Sequence, residues 1–299
     1  MRAGLMLMLI LAANPAATQA RDLFVNNIAG RDVFDGRSAV VLGAGQGPTQ
    51  TITRALEMAG RGDRIILAPN AEPYHECISL VGHKHAGDGA RPFVILGNGA
   101  VLDGSGEVPL WAWESAHVDV FRFKPRWKHY EQLFRDDRPL LRRSNLELAS
   151  WGDLDPLEWA VDGGYVYFRV EPGQLLRDYR LTHAVHPVGI TLYQTRDVII
   201  DSLTVQGFHL DGINAHDMAY DVVLSRVTSR GNGRSGVAVC GASRVQLFDC
   251  TVGDNGTAQL WCEGPAAVNL QQSRVLENTA PGIINDGGQV TIDGARSGP

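Results

Sequence analysis

From Gly189 onward, apolar and polar positions alternate in short runs that repeat with a near-constant period. Rungs begin at Gly189, Gly212, Gly236, Gln259 and Gly282, spaced 23, 24, 23 and 23 residues apart. Ile190, Ile213, Val237, Leu260 and Ile283 share one position of the repeat. Val198, Val222, Val245, Val268 and Val290 share another. Each rung reads as two short strands bounded by Gly, Asn and Asp turns, with no helical period between them, which excludes βαβ units. A repeat of about 23 residues predicts one coil of a parallel β-solenoid, in which each coil pairs only with its neighbours. Asn232, Asn255 and Asn278 also fall 23 apart, after the second strand. Asn tolerates a left-handed backbone and hydrogen-bonds its stacked copy, so the series predicts a repeated tight turn at these residues.

Upstream, strands are expected at Arg64–Ala68, Cys77–Val81, Phe93–Leu96 and Ala100–Leu102. Ile52, Ala55, Leu56 and Ala59 lie on one face of a short helix, placed to cover the open first coil. Between about 110 and 182 the repeat is lost, and five of the six tryptophans gather there (111, 113, 127, 151 and 159). The first twenty residues carry Arg2, an apolar run from Leu5 to Ala13, Pro15 and then small residues to Ala20. The run is too short to span a bilayer and reads as an export signal cut near Ala20. The chain thus divides into a signal peptide (1–20), an N-terminal cap with the first coils (21–109), a β-rich insertion (110–182) and further coils (183–299). About seven coils are expected, the last without an evident cap, an arrangement that invites self-association through that end.

These motifs carry a family resemblance. FVNNIAGRDVFDG followed by GPTQTITRALEMAGRGDRIILAPNAEPYHECISLVG is similar to the opening of secreted β-helix proteins, where a strand and acidic turn precede a short helix and a GD-x-I-x-L first coil. With the rungs from Gly189, the chain resembles the right-handed parallel β-helix superfamily of pectate lyases, alginate lyases, mannuronan epimerases and several glycoside hydrolases. Right-handedness follows from that resemblance. LFRDDRPLLRRSN and EWAVDGGYVYFRVEPGQLLRDYRL resemble the strand-rich insertion of some β-helix glycoside hydrolases. The resemblance implies an exported protein, extracellular or periplasmic, that acts on a polysaccharide.

Composition narrows the classes. A hydrophobic content of 44% over 299 residues excludes disorder, and 34 glycines without a triplet period exclude collagen. A net charge of −6 with no basic block excludes a nucleic-acid partner bound by phosphate neutralisation. No later segment is apolar enough to cross a membrane. Four cysteines do not make a disulfide framework; by alternation Cys250 and Cys262 face inward and Cys240 outward.

Alternation also assigns the outer face. If Ile190 and its equivalents point in, Thr191, Asn214, Ala238, Trp261 and Ile284 form one outward column. Tyr193, His216, Cys240, Glu263 and Asp286 form a second. Members of a column stand about 4.8 Å apart, so a phenol, an imidazole, an indole and two carboxylates share one strip. Aromatic rings stack on sugar faces, and carboxylates or imidazoles move protons. Candidate catalytic groups are His216, Glu263, Asp286, Tyr193 and Asp211; candidate substrate-binding groups are Trp261, Asn214, Arg234, Lys84 and His209. The run from Asp211 to Asp217 is loosely similar to the Asp-Pro-His region of mannuronan epimerases but lacks its proline, and Asp211 equally fits a turn cap.

Two chemistries compete on this strip. Lyase or epimerase action uses His216 or Tyr193 as base and Arg234 or Lys84 against the developing charge. Hydrolysis uses Glu263 and Asp286, one coil apart. A third reading is a non-catalytic surface protein that binds glycan or protein. No resident cofactor or metal motif is present. Asn26, Asn27, Asp32 and Asp35 form an acidic turn that leaves a structural Ca²⁺ open.

Overall fold

The computed structural model describes residues 20–127, 129–143 and 154–296. The export-signal expectation therefore lies outside the described residues, Ala20 excepted. No described helix is long and apolar enough to cross a membrane.

The repeat folds as three parallel sheets wound into one solenoid. Sheet I has nine strands, running Asp22–Val25, Arg64–Leu67, Phe93–Leu96, Arg196–Asp201, Tyr220–Ser225, Arg244–Phe248, Ala267–Gln271, Gln289–Ile292 and Ala295–Arg296. Sheet II stacks Ile78–Val81, Ile190–Tyr193, Asp211–His216, Ser235–Val239, Ala258–Glu263 and Ile283–Asp286. Sheet III stacks Val101–Asp103, Thr204–Gln206, Thr228–Arg230, Thr251–Gly253 and Arg274–Val275. Five successive turns contribute a strand to all three sheets, with incomplete turns before and after. The count is below the seven expected because the first two strands of sheet I have no counterpart strand in sheets II and III, and the last coil has none in sheet III.

Each coil thus holds three strands where the pattern predicts two. The break falls on one residue per coil, Ser202, Arg226, Asp249 and Gln272, all left-handed with φ of 51–53°. That single conformation turns the chain through a corner without a glycine, so the apolar run on either side reads as one strand in sequence and is two in space. A second correction concerns the asparagines. At the corner between sheets III and II the left-handed residues include Gly231 and Asp254, each one residue before the Asn expected there. The Asn side chains serve as the ladder itself: Asn232 N and Nδ2 donate to Asn255 Oδ1 at 2.9 and 3.0 Å. Asn232 and Asn255 are fully buried. Asn278 is exposed and pairs instead with Asp254.

Register is as the period requires. Ile190, Ile213, Val237, Leu260 and Ile283 are mutual partners, as are Val198, Val222, Val245, Val268 and Val290. The inner residues form one cluster along the axis, and each fully buried Val, Leu or Ile contributes about 1.5–3 kcal/mol. The helix Ile52–Met58 closes the first coil with Ile52, Ala55 and Leu56 buried. Thr51 caps it by accepting from Arg54 N, and the Glu76 carboxylate accepts from the free amides of Ile52 and Thr53. At the other end Ala295–Arg296 returns antiparallel on Gln289–Ile292, through Asp293 and Gly294, both left-handed as a two-residue hairpin demands. The last coil is therefore partly covered along sheet I.

The interruption leaves sheet III at Asp103 and rejoins sheet II at Ile190. It builds two antiparallel sheets of its own. One joins Ser105–Glu107, Leu181–Ala184, Leu133–Arg135 and Arg138–Pro139; the other joins Glu114–Ser115, Val120–Phe123, Tyr165–Arg169 and Trp159–Asp162. Their residues form two clusters separate from the solenoid's, around Trp159 and Phe168 and around Val120 and Tyr167. Residues 130–134 press on the corners between sheets III and II. Even one added carbon at Gly233 would meet the Tyr130 carbonyl, and at Gly231 the Phe134 ring.

Candidate functional site

The outer face of sheet II carries the first expected column in register and both ends of the second, whose middle member Cys240 falls just past its strand. Thr191 pairs with Asn214, Asn214 with Ala238, Ala238 with Trp261, and Trp261 with Ile284. Tyr193 pairs with His216, and Glu263 with Asp286. The Tyr193 and His216 rings lie 5.2 Å apart, and His216 Nδ1 stands 3.1 Å from Asp217 Oδ2. Glu263 and Asp286 are exposed, and neither carboxylate takes a hydrogen bond from a described residue. Cys240, between His216 and Glu263, is half-buried. Burial pushes its thiol up, with the Glu263 charge adding to the effect, so it is not an activated nucleophile.

Toward the strand starts the face becomes charged and covered. Asp211 is fully buried because its carboxylate is saturated. Arg234 grips it through Nε at 2.9 Å and through Nη2. Ser235 Oγ donates at 2.7 Å and Asn214 Nδ2 at 2.8 Å. Asp211 thus positions Arg234 and Asn214 and offers no free oxygen to a substrate; all its partners are side chains, so it forms a buried ion pair between coils in place of a turn cap. The Arg234 guanidinium sits over the Trp261 ring at 5.9 Å. Asn214 Oδ1 and Trp261 Nε1 are buried without a hydrogen-bond partner.

Two further expected residues lie elsewhere. Lys84 follows the first strand of sheet II, and its Nζ donates to the Glu57 carbonyl at 2.6 Å, tying it to the capping helix. His209 is buried, with its ring stacked on Trp127 at 5.0 Å. In the N-terminal turn, Asn26 and Asp35 accept from backbone amides, and Asp32 from the Thr51 amide and hydroxyl. Asn27 Nδ2 donates to the Glu72 and Pro73 carbonyls. These groups hold the turn by themselves. Among the described residues no group of three or more His, Cys, Asp or Glu is arranged to hold a metal ion.

A second polar cluster, invisible in the repeat, lies where the insertion meets the coils. Glu131 is 1% exposed, and both its oxygens lack a hydrogen-bond partner. His183 Nδ1 stands 3.6 Å from it and His209 Nδ1 3.9 Å, both too far for a hydrogen bond. Burial holds the Glu131 carboxyl above the usual carboxylate range. Burial, helped by His129 and His183, pushes His209 down to about 4. Glu131 also lines a cleft of about 340 Å³, together with His129, Tyr130, Arg142, Val161 and Thr257. The signal in sequence is the dense Trp127-Lys128-His129-Tyr130-Glu131 run, which sits outside the repeat and therefore has no column to place it.

Residues 177–295 match the family model described as the right handed beta helix region. A solved structure described as a glycoside hydrolase superposes with a TM-score of 0.63 at 11% identity, covering 85% of this chain and 73% of that one. The complex of XylC with xylose gives 0.46 at 12% identity, covering 91% and 70%. Pectate lyase Pel9A gives 0.43 at 10% identity, covering 92% and 62%. No match is found among curated proteins. The first of these likenesses, with the family match and the three-sheet solenoid, identifies the chain as a right-handed parallel β-helix protein.

Proposed function

We propose that the outer face of sheet II is a glycan groove and that the protein hydrolyses glycosidic bonds there. The observation that carries this reading is the pair Glu263 and Asp286, two unpartnered carboxylates in register on adjacent coils. Strands stand about 4.8 Å apart, close to the roughly 5 Å carboxyl separation of retaining glycosidases. In that mechanism one carboxylate attacks the anomeric carbon as the other, protonated, gives its proton to the departing oxygen. Water then displaces the enzyme carboxylate, giving its proton back to the second group. Trp261, Tyr193 and His216 supply rings along the same strip for stacking on sugar faces. The glycoside hydrolase among the structural neighbours fits this class, and the export signal read in residues 1–20 points to an extracellular or periplasmic polysaccharide.

Lyase or epimerase action is less well supported. It needs a cation facing the uronate, and the Arg234 charge is already taken by Asp211, while Lys84 is held at the capping helix. A second reading, glycan binding without turnover, is favoured by the exposure of both Glu263 and Asp286, with no described wall over them.

The test is incubation with a panel of neutral polysaccharides and polyuronates, following reducing ends and ultraviolet-absorbing products separately. Hydrolysis releases reducing ends alone, and Glu263→Gln or Asp286→Asn lowers the rate by about 10²–10⁴-fold. Ultraviolet-absorbing product overturns the reading in favour of a lyase. Retention of polysaccharide with neither product establishes the binding reading. Full activity in both acid variants removes the site.

A further inference from the structure

The outer face of sheet I also carries two columns in register. Arg244, Ala267 and Gln289 form one, and Gln246, Asn269 and Thr291 the other. Val245, Val268 and Val290, between them along the strands, are buried, so by alternation the two columns point outward. Arg244, Gln246 and Gln289 are exposed, Asn269 and Thr291 half-buried, and their polar ends are open to solvent. The small Ala267 stands between two long side chains that are two strand spacings, about 10 Å, apart. A groove of about 210 Å³ lies there, flanked by the second column and with Asp221 also lining it. None of these polar side chains makes a hydrogen bond or ion pair with a described residue. Elsewhere at sheet I, by contrast, Arg64 is paired with Asp22 and Arg226 with Asp201. The Arg244 guanidinium instead lies over the Tyr220 ring at 5.5 Å, a contact that steadies it and takes none of its N–H donors.

We propose that this groove binds an acidic sugar, a hydroxylated ring that bears one carboxylate. Carboxamides and a hydroxyl both donate and accept, as ring hydroxyls do, so Gln246, Asn269, Gln289 and Thr291 suit the ring. The planar fork of Arg244 suits the carboxylate. Ala267 gives the ring a floor without a side chain to displace it. The Asp221 charge sets a limit on the ligand, since it opposes a dianionic phosphate more than a singly charged carboxylate. Sheets I and II form different sides of the same coils. A glycan held on sheet I therefore leaves Glu263 and Asp286 free, and the site is one of attachment that needs no turnover on sheet II.

The experiment titrates the full chain with D-galacturonate and D-glucuronate, with neutral D-galactose and D-glucose, and with inorganic phosphate, by ligand-observed NMR. At least one uronate is expected to bind about tenfold more tightly than its neutral counterpart. Arg244→Gln removes that preference, Ala267→Leu fills the groove and abolishes binding, and Glu263→Gln leaves it unchanged. All three positions are on outer faces, and melting curves establish that each variant is folded. No uronate binding, or binding that Arg244→Gln and Ala267→Leu leave as in the wild type, overturns the site. Equal hold on acidic and neutral sugars, or phosphate bound as tightly as the uronates, overturns the acidic-sugar class. Binding lost in Glu263→Gln and kept in Ala267→Leu places the sugar on sheet II and overturns the proposal. Binding abolished by Ala267→Leu, with no reducing ends released from any polysaccharide, keeps the sheet I site and removes the hydrolase reading.

Discussion

In the stacked coils an inward residue finds its equivalent one turn away; in the insertion no residue has an equivalent at all. The consequence shows in hydrogen bonding. At one coil corner the Phe208 backbone amide donates to Asn232, Asn232 donates to Asn255 one turn on, and Asn255 donates to Gln259, so the side-chain amides of the ladder are satisfied. The buried orphan atoms lie on Trp127, Glu131, Thr182, His183 and His209, where the insertion and the coils meet, and on Asn214 and Trp261 of the outer face. A repeat satisfies itself because every turn brings the same partners. An irregular contact joins groups of unlike geometry and leaves some without partners, and such groups are where a ligand gains most. Among the described residues most of the orphaned buried groups gather at the border of the regular region with the irregular one.

The sharpest break of this comparison is in the cores. Phe208→Ala and Trp159→Ala each remove a fully buried ring, at about 3–5 kcal/mol apiece. Trp159 belongs to the insertion's own cluster. Its loss is expected to strip hydrogen-exchange protection from the antiparallel sheets while sheet II keeps its own. Phe208 packs in the solenoid core against Gly104 and Gly189, and its loss is expected to lower protection in both regions. Equal loss everywhere from Trp159→Ala would show a single cooperative unit and dissolve the distinction.

Next in size is a pH effect at the border. His209 falls from 6.5 in the unfolded chain to about 4 in the folded one, because burial strips water from its charged form, with His129 and His183 adding to the effect. The unfolded chain then binds more protons between about pH 4 and 6.5, so stability rises with pH across that window and is lost as pH falls through it. At about 1.4 kcal/mol per unit the effect is about 3 kcal/mol. Glu131 works in the opposite sense, since its raised pKa leaves the folded state holding a proton above the usual carboxylate range. Urea melts from pH 4 to 7 are expected to show the rise in the wild type. It should flatten in His209→Phe, which keeps a ring on Trp127, and steepen in Glu131→Gln.

A smaller effect separates members of one sequence series. Asn255→Ala removes the acceptor of two Asn232 donors and the donor to Gln259, at about 2 kcal/mol. Asn278→Ala, with the same spacing but exposed, should cost no more than about 0.5 kcal/mol. Equal midpoints in denaturant would show that the ladder does not hold the coils.

The contrast explains what could be read from sequence. Ile213, Val237 and Leu260 announce their facing because alternation and period agree, and the facing places Trp261 and Glu263 on the outside. The third sheet is hidden because a single left-handed Ser202, Arg226, Asp249 or Gln272 leaves no glycine or proline as a mark. The ion pair of Asp211 is hidden because its partner Arg234 is 23 residues away, adjacent only once the coil closes. Glu131 escapes altogether, as its neighbours His183, His209 and Arg142 come from three separate segments with no shared period.

Lys84 tests the same lesson at the smallest scale. In sequence it is an unassigned cation near the first coil, available to a uronate. In space its ammonium is spent on the carbonyl at the end of the capping helix, where a positive charge also suits the helix dipole. Lys84→Ala is therefore expected to lower stability by no more than about 0.5 kcal/mol, as exposed charge contacts do, and to leave glycan binding and turnover unchanged. A selective loss of activity on polyuronates would return Lys84 to the groove, and with it the lyase chemistry that Arg234 alone cannot support.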